Sequence, residues 1–153
     1  MTNASGLPQA EQNAQTARFY GADIWLDISR PDATGQAQYI VTPAGDLQLA
    51  TGREALRQSL LRRTLTDPGE WQTAPDFGVG ARQFVKGRNT DTERTALINR
   101  VRSQYLRDPR VQSVDLVLVT PLDDGSPGVL LQAQVTPKGQ LGVQPLPVHL
   151  EIR

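Results

Sequence analysis

Between Thr51 and Arg110 the apolar residues recur at helical spacing, and from Val111 onward they recur at every second position. The two periods define different elements: a stripe every three to four residues builds an amphipathic helix, and strict alternation builds a half-buried strand. A second alternating stretch precedes the helical middle, where Ile24, Leu26 and Ile28 interleave with Asp23, Trp25 and Asp27. Strands at both ends with helices between them do not make repeating βαβ units. The expected fold is therefore α+β: a single domain with a mostly antiparallel sheet packed against two main central helices.

The helical boundaries are written in local chemistry. Thr51 with Glu54 has capping-box spacing, in which each side chain satisfies the other residue's backbone N–H. Leu56, Leu60 and Leu61 place an apolar stripe on the first helix, Leu65 continues it, and Arg53, Arg57, Arg62 and Arg63 fall off it. Asp67-Pro68-Gly69 stops that helix, because proline cannot continue the ladder and glycine permits the turn. A short helix is read around residues 78–85. Thr90 or Asp91 caps the second long helix, whose stripe is Leu97, Ile98, Val101 and Tyr105 and whose end is Asp108-Pro109.

Residues 1–20 read as a flexible polar arm with Phe19-Tyr20 as its first anchor, leaving 21–153 as the folded domain. Ser29-Arg30-Pro31-Asp32 reads as a turn. Gln38–Val41 and Asp46–Leu49 read as a hairpin around Pro43-Ala44-Gly45. In the last third, Val114 to Val119 is apolar on both faces apart from Asp115, which implies a central strand covered on both sides. Val129 to Thr136 is a half-buried strand, and Leu146, Val148, Leu150 and Ile152 alternate with polar residues to the last position. A terminal strand at a sheet edge leaves a row of backbone groups that another chain can pair. Whether the first strands pair with the last stays open at this level.

Composition narrows the chemistry. With 153 residues, 38% of them hydrophobic, the chain can bury a real core. It has no cysteine, which excludes disulfides, thiolate metal sites and cysteine nucleophiles. No apolar run approaches the ~18–20 residues of a membrane span, and the N-terminus lacks the apolar core of a secretory signal, so cytoplasmic synthesis is expected. The formal charge is zero, but residues 51–110 carry twelve basic and seven acidic side chains, an excess of +5 balanced by the rest of the chain. Such polarity suits docking to partners of complementary field, and equally suits helices with solvated arginine faces.

Several residues have two readings. Asp108-Pro109-Arg110 is either a helix terminator with exposed charges or a fixed acid–arginine pair on a rigid corner, able to engage a partner's carboxylates or carbonyls. Trp71 and Phe77 flank a turn and either anchor it to the core or form an interface hot spot. Arg62 and Arg63 either face a partner or coat a solvated helix face.

The run from Thr51-Gly52-Arg53-Glu54-Ala55-Leu56 to Leu65-Thr66-Asp67-Pro68-Gly69-Glu70-Trp71, then Pro75-Asp76-Phe77-Gly78, then Asp108-Pro109-Arg110-Val111, resembles the baseplate wedge and sheath-initiator family of contractile phage tails, with relatives in type VI secretion systems and extracellular injection particles. The resemblance covers roughly residues 45–120, and family members often carry Glu-Pro-Arg where this chain has Asp108-Pro109-Arg110. It implies a structural protein of a virion or injection-particle baseplate. The implied partners are sheath and wedge proteins, with tube or hub proteins adjacent and six copies per particle. It also implies partner binding through Asp108, Pro109 and Arg110 and sheath pairing through an edge strand, for which Val148, His149, Leu150, Glu151 and Ile152 are the expected residues; Arg62, Arg63, Trp71 and Phe77 join the partner-binding candidates from the readings above. On that reading Arg110→Ala leaves the monomer folded and abolishes assembly. Neither a cofactor, a metal nor a small-molecule substrate is implied.

Two alternatives come from other classes. A lysozyme-like glycoside hydrolase needs two carboxylates about 5–9.5 Å apart with one in an apolar pocket, and Glu70 with Asp76 is the best pair available. A nucleic-acid-binding domain would use the basic helices, but a net charge of zero argues against it.

Overall fold

The computed structural model describes residues 9–27, 37–139 and 144–153. Ile28 and the turn read at Ser29–Asp32 lie outside them. The chain has helices and antiparallel sheets, the α+β class, and divides into two compact units, Met1–Gln58 and Ser59–Arg153. The boundary falls within the helix Arg53–Leu65.

In the first unit, helix α1 (Gln9–Tyr20) occupies much of the segment read as an arm. Tyr20 is buried, with Phe19 edge-on to it at 4.9 Å between ring centroids. Strands β1 (Ala22–Ile24) and β2 (Leu26–Asp27) follow, pairing antiparallel with β4 (Leu49–Thr51) and β3 (Gln38–Tyr39) respectively. The turn at Pro43-Ala44-Gly45 forms as expected: Thr42 N donates to Asp46 O at 2.7 Å and Gln48 N to Ile40 O at 2.8 Å. The hairpin strands then take β1 and β2 as their ladder partners. Helix α2 (Arg53–Leu65) contributes Gln58, whose buried amide donates to Leu26 O (2.9 Å) and accepts from Leu26 N (3.2 Å). One side chain thus satisfies both backbone groups of a strand residue, as a neighbouring strand would.

The capping box read at Thr51 does not form. Thr51 closes β4 opposite Ala22, and Gly52, at φ +59°, accepts the first helical bond from Leu56 N. A strand end took the residue that the motif had reserved for a cap.

In the second unit α2 ends at Leu65, followed by α3 (Ala81–Val85), α4 (Asp91–Leu106), β5 (Val111–Pro121), β6 (Val129–Pro137) and β7 (Leu146–Ile152). Thr90 and Glu93 form the capping box of α4, and Leu97, Val101 and Tyr105 are buried along it with Ile98 partly so. The three strands make one antiparallel sheet in the order β5-β6-β7, and α4 lies against β5. Its inner face is a grid in register: Val117, Ala133 and Val148 in one row, Val119, Leu131 and Leu150 in the next. Burying such aliphatic side chains contributes about 1.5–3 kcal/mol each.

The expectation of a central, doubly covered strand at Val114–Val119 is overturned. β5 borders the sheet, and Leu116 (39% exposed) and Leu118 (43%) lie on its open face. The reason is that β5 has β6 as its one ladder partner in this sheet and only one of its faces is covered; it also carries two β-bulges, between Val111 and Ser113 and between Val114 and Leu116. Each inserts a residue and flips the phase of alternation. Val111 thus shares the buried face with Val117 and Val119 across two phase changes. The extra residue of the second bulge, Asp115, accepts the hydroxyls of Ser113 (2.7 Å) and Thr136 (2.6 Å). Among the described residues no helix is long and apolar enough to cross a membrane.

Candidate partner-binding site

The second unit holds the predicted basic residues around the end of α2. A helix leaves its last carbonyls without intrahelical donors, and here the following loop supplies them. Val79 N donates to Arg63 O and Gly80 N to Thr66 O, both at 2.9 Å. Asp67-Pro68-Gly69 turns the chain as read, and Glu70 Oε2 accepts from Asp67 N at 2.9 Å. Gly78, at φ +112°, lets the loop pass close enough to do this: a Cβ there would lie 2.3 Å from Thr66 O.

The loop is fastened from α4 by Gln104, which the sequence reading missed. Its buried amide donates to Asp76 O (2.9 Å) and accepts from Gly78 N (3.3 Å) and Arg63 Nη1 (3.4 Å). The signal was available, since Gln104 continues the spacing of Leu97 and Val101 on the apolar stripe. Arg107, also missed, donates to Asp76 O at 3.3 Å.

Trp71 and Phe77 meet face to face, 4.6 Å apart and 1° from parallel. The Arg63 guanidinium carbon sits over the Phe77 ring at 4.3 Å from its centroid. Phe77 thus contacts both Trp71 and the Arg63 guanidinium. Cation–π contact of this kind is worth about 0.5–2 kcal/mol. Trp71 stays 49% exposed, so the stack reaches solvent. Beside it a shallow groove of about 220 Å³ is lined by Arg63, Ala74, Pro75, Asp76, Phe77 and Arg107. The carboxylates weighed for hydrolysis, Glu70 and Asp76, are both on exposed residues.

Asp108 and Arg110 form a closed pair at the corner after α4. Asp108 is 2% exposed; its Oδ1 accepts from Arg110 N (3.0 Å) and Nε (2.8 Å), and its Oδ2 from Nη2 (2.7 Å). Burial alone pushes this carboxyl up, but the hydrogen bonds and charge of Arg110, with Arg63 behind them, outweigh it and hold Asp108 below its ordinary value. The reading as a terminator with exposed charges is thus corrected for Asp108. Arg110→Ala would leave that buried carboxylate without its ion-pair partner, so the variant is expected to be destabilised. Pro109 is exposed between them. Burial and the nearby Arg110 charge lower the pKa of Arg62. Burial also lowers that of Arg63, against the pull of Asp108 and with the repulsion of Arg110 and Arg107. Below this cluster the Tyr105 hydroxyl meets Thr64 Oγ1 at 2.7 Å, and burial raises the Tyr105 pKa well above its usual value.

The proposed pairing strand, Val148 to Ile152, lies within β7 at the other border of the sheet. Val148, Leu150 and Ile152 point inward, and His149 and Glu151 are exposed. The structure does not unite the two predicted sets: one lies at the α2–α4 end, the other on a sheet edge.

The model of the contractile injection system sheath initiator family matches residues 30–126. The chain belongs to that family. This sheath-initiator chain is also similar to solved structures. One is a chain of the six-fold symmetrised anti-feeding prophage baseplate, with 28% identity and a TM-score of 0.54 over 63% of this chain and 78% of that one. Another is a putative tail lysozyme from Geobacter sulfurreducens, with 19% identity and a TM-score of 0.53 over 76% of this chain and 97% of that one. At 19% identity the second likeness shows the fold alone. No curated protein sequence matches the chain.

Proposed function

We propose that this sheath-initiator family member is a non-catalytic component of the baseplate of a contractile injection machine, binding wedge proteins around the tube and starting the sheath by lending β7 to a neighbour's sheet. Family membership and the likeness to an anti-feeding prophage baseplate chain support the baseplate role. Six copies per particle are part of this reading, which the six-fold symmetry of that relative's baseplate supports.

The observation that carries the strand-lending step is the position of β7. It pairs with β6 on one side and borders the sheet on the other, while its apolar face fixes it to the core. Pro147 has no N–H to give, so it fits the ladder where that group would point away from β6. In that phase His149 and Glu151 also turn their backbone groups outward, offering a row of donors and acceptors for an added strand.

His149→Pro tests this. It removes an outward N–H and leaves the β6 ladder in place. The variant is expected to remain folded by circular dichroism and to lose co-assembly with the sheath protein of its own particle. Sheath assembly at the wild-type level with folded His149→Pro would refute strand lending.

A further inference from the structure

We propose that the groove lined by Arg63, Ala74, Pro75, Asp76, Phe77 and Arg107 receives an acidic side chain, Glu or Asp, from a partner segment of the particle. The inference rests on the baseplate reading and names the chemistry of one contact within it.

Two guanidiniums meet in this groove without a carboxylate of their own. Arg63 and Arg107 make long bonds to neutral acceptors, Gln104 Oε1 at 3.4 Å and Asp76 O at 3.3 Å, and among the described residues neither has an ion-pair partner. The buried Nε of Arg63 donates to no acceptor among them. That nitrogen is closed to the groove, so an entering group meets the Nη ends of the two guanidiniums, for which a carboxylate is the best-matched acceptor. Asp108 is committed to Arg110 through both oxygens, so it does not serve. Asp76, which also lines the groove, accepts from Gln104 and Arg107 through its backbone carbonyl.

The groove is also prepared geometrically. Arg63 is held over Phe77, Phe77 is held by Trp71, and the turn beneath them is fastened by Gln104, so little side-chain freedom remains to be lost on binding. Phe77 and Pro75 offer apolar surface to the methylenes of an entering Glu.

The test is a nitrogen-15 NMR titration of the full chain with a capped Ala-Glu-Glu-Ala peptide and its Gln-Gln counterpart. The Glu peptide is expected to shift the Nε–H signals of Arg63 and Arg107 and the indole N–H of Trp71. The Gln peptide is expected to leave them in place. Arg107→Gln should weaken binding at least about fivefold, and Arg107→Lys should restore part of it, which a structural role for Arg107 would not predict. Equal response to both peptides, or shifts spread evenly over outlying arginines such as Arg82 and Arg102, would overturn the proposal. If the peptide fails while His149→Pro still blocks sheath assembly, this contact falls and the baseplate reading stands.

Discussion

Replacing Arg110 by Ala removes the Nε and Nη2 donors from a carboxylate that is 2% exposed, leaving only the Arg110 backbone N–H at 3.0 Å. Breaking one side of a buried ion pair costs about 3–5 kcal/mol. Two features reduce that figure. The Arg110 side chain is itself 21% exposed, and its charge burdens Arg62 and Arg63, so its loss relieves some repulsion. The expected cost is about 2–4 kcal/mol, or a fall of about 1–2 M in the urea midpoint at a slope near ~2 kcal/mol/M. The pH dependence has a definite sign. The folded Asp108 pKa lies below the unfolded value of about 3.9, so the stability it contributes is present above that value. It is lost as pH falls through the folded value. The gap between wild type and Arg110→Ala should therefore be full at pH 7 and close as the medium becomes more acid than about pH 4. Equilibrium urea unfolding at pH 7, 5 and 3.5, completed by Asp108→Asn and the double variant, measures it. A midpoint unchanged at pH 7, or a gap of constant size across the series, would refute the argument.

Gly78→Ala should destabilise by at least ~2 kcal/mol, because a positive φ and a Cβ placed 2.3 Å from Thr66 O both oppose it; thermal unfolding reads this, and a neutral result would mean the loop relaxes freely. Thr64→Val should cost about 1–3 kcal/mol by leaving the Tyr105 hydroxyl without its partner, with Thr64→Ser recovering most of the loss in the same assay.

Much of the second unit was legible in the sequence because its determinants are local. The cap at Thr90, the Asp67-Pro68-Gly69 stop and the alternation of Val129–Val135 and Leu146–Ile152 depend on neighbours a few residues away, and each forms where the local chemistry put it. Thr51 failed as a cap because its competitor was a strand, β1, more than twenty residues earlier in the chain. The same contrast divides the candidate site. Residue type and spacing singled out Arg63, Trp71 and Phe77, while Gln104 and Arg107 act only because the fold brings α4 against the 76–78 turn.

From Arg53 onward the sequence by itself determined the order of helices and strands and the places where the two long helices stop, since backbone propensity and side-chain period act over one or two turns; the helix α1 was not read. It also carried the motifs that mark the family. Only the tertiary structure decided that Val114–Val119 borders the sheet with one face open, because strand order and what packs over each face depend on segments distant in sequence. Only the fold decided that Asp108 is buried against Arg110. Burial is a property of what packs over a residue, and the chain that packs there is distant in sequence.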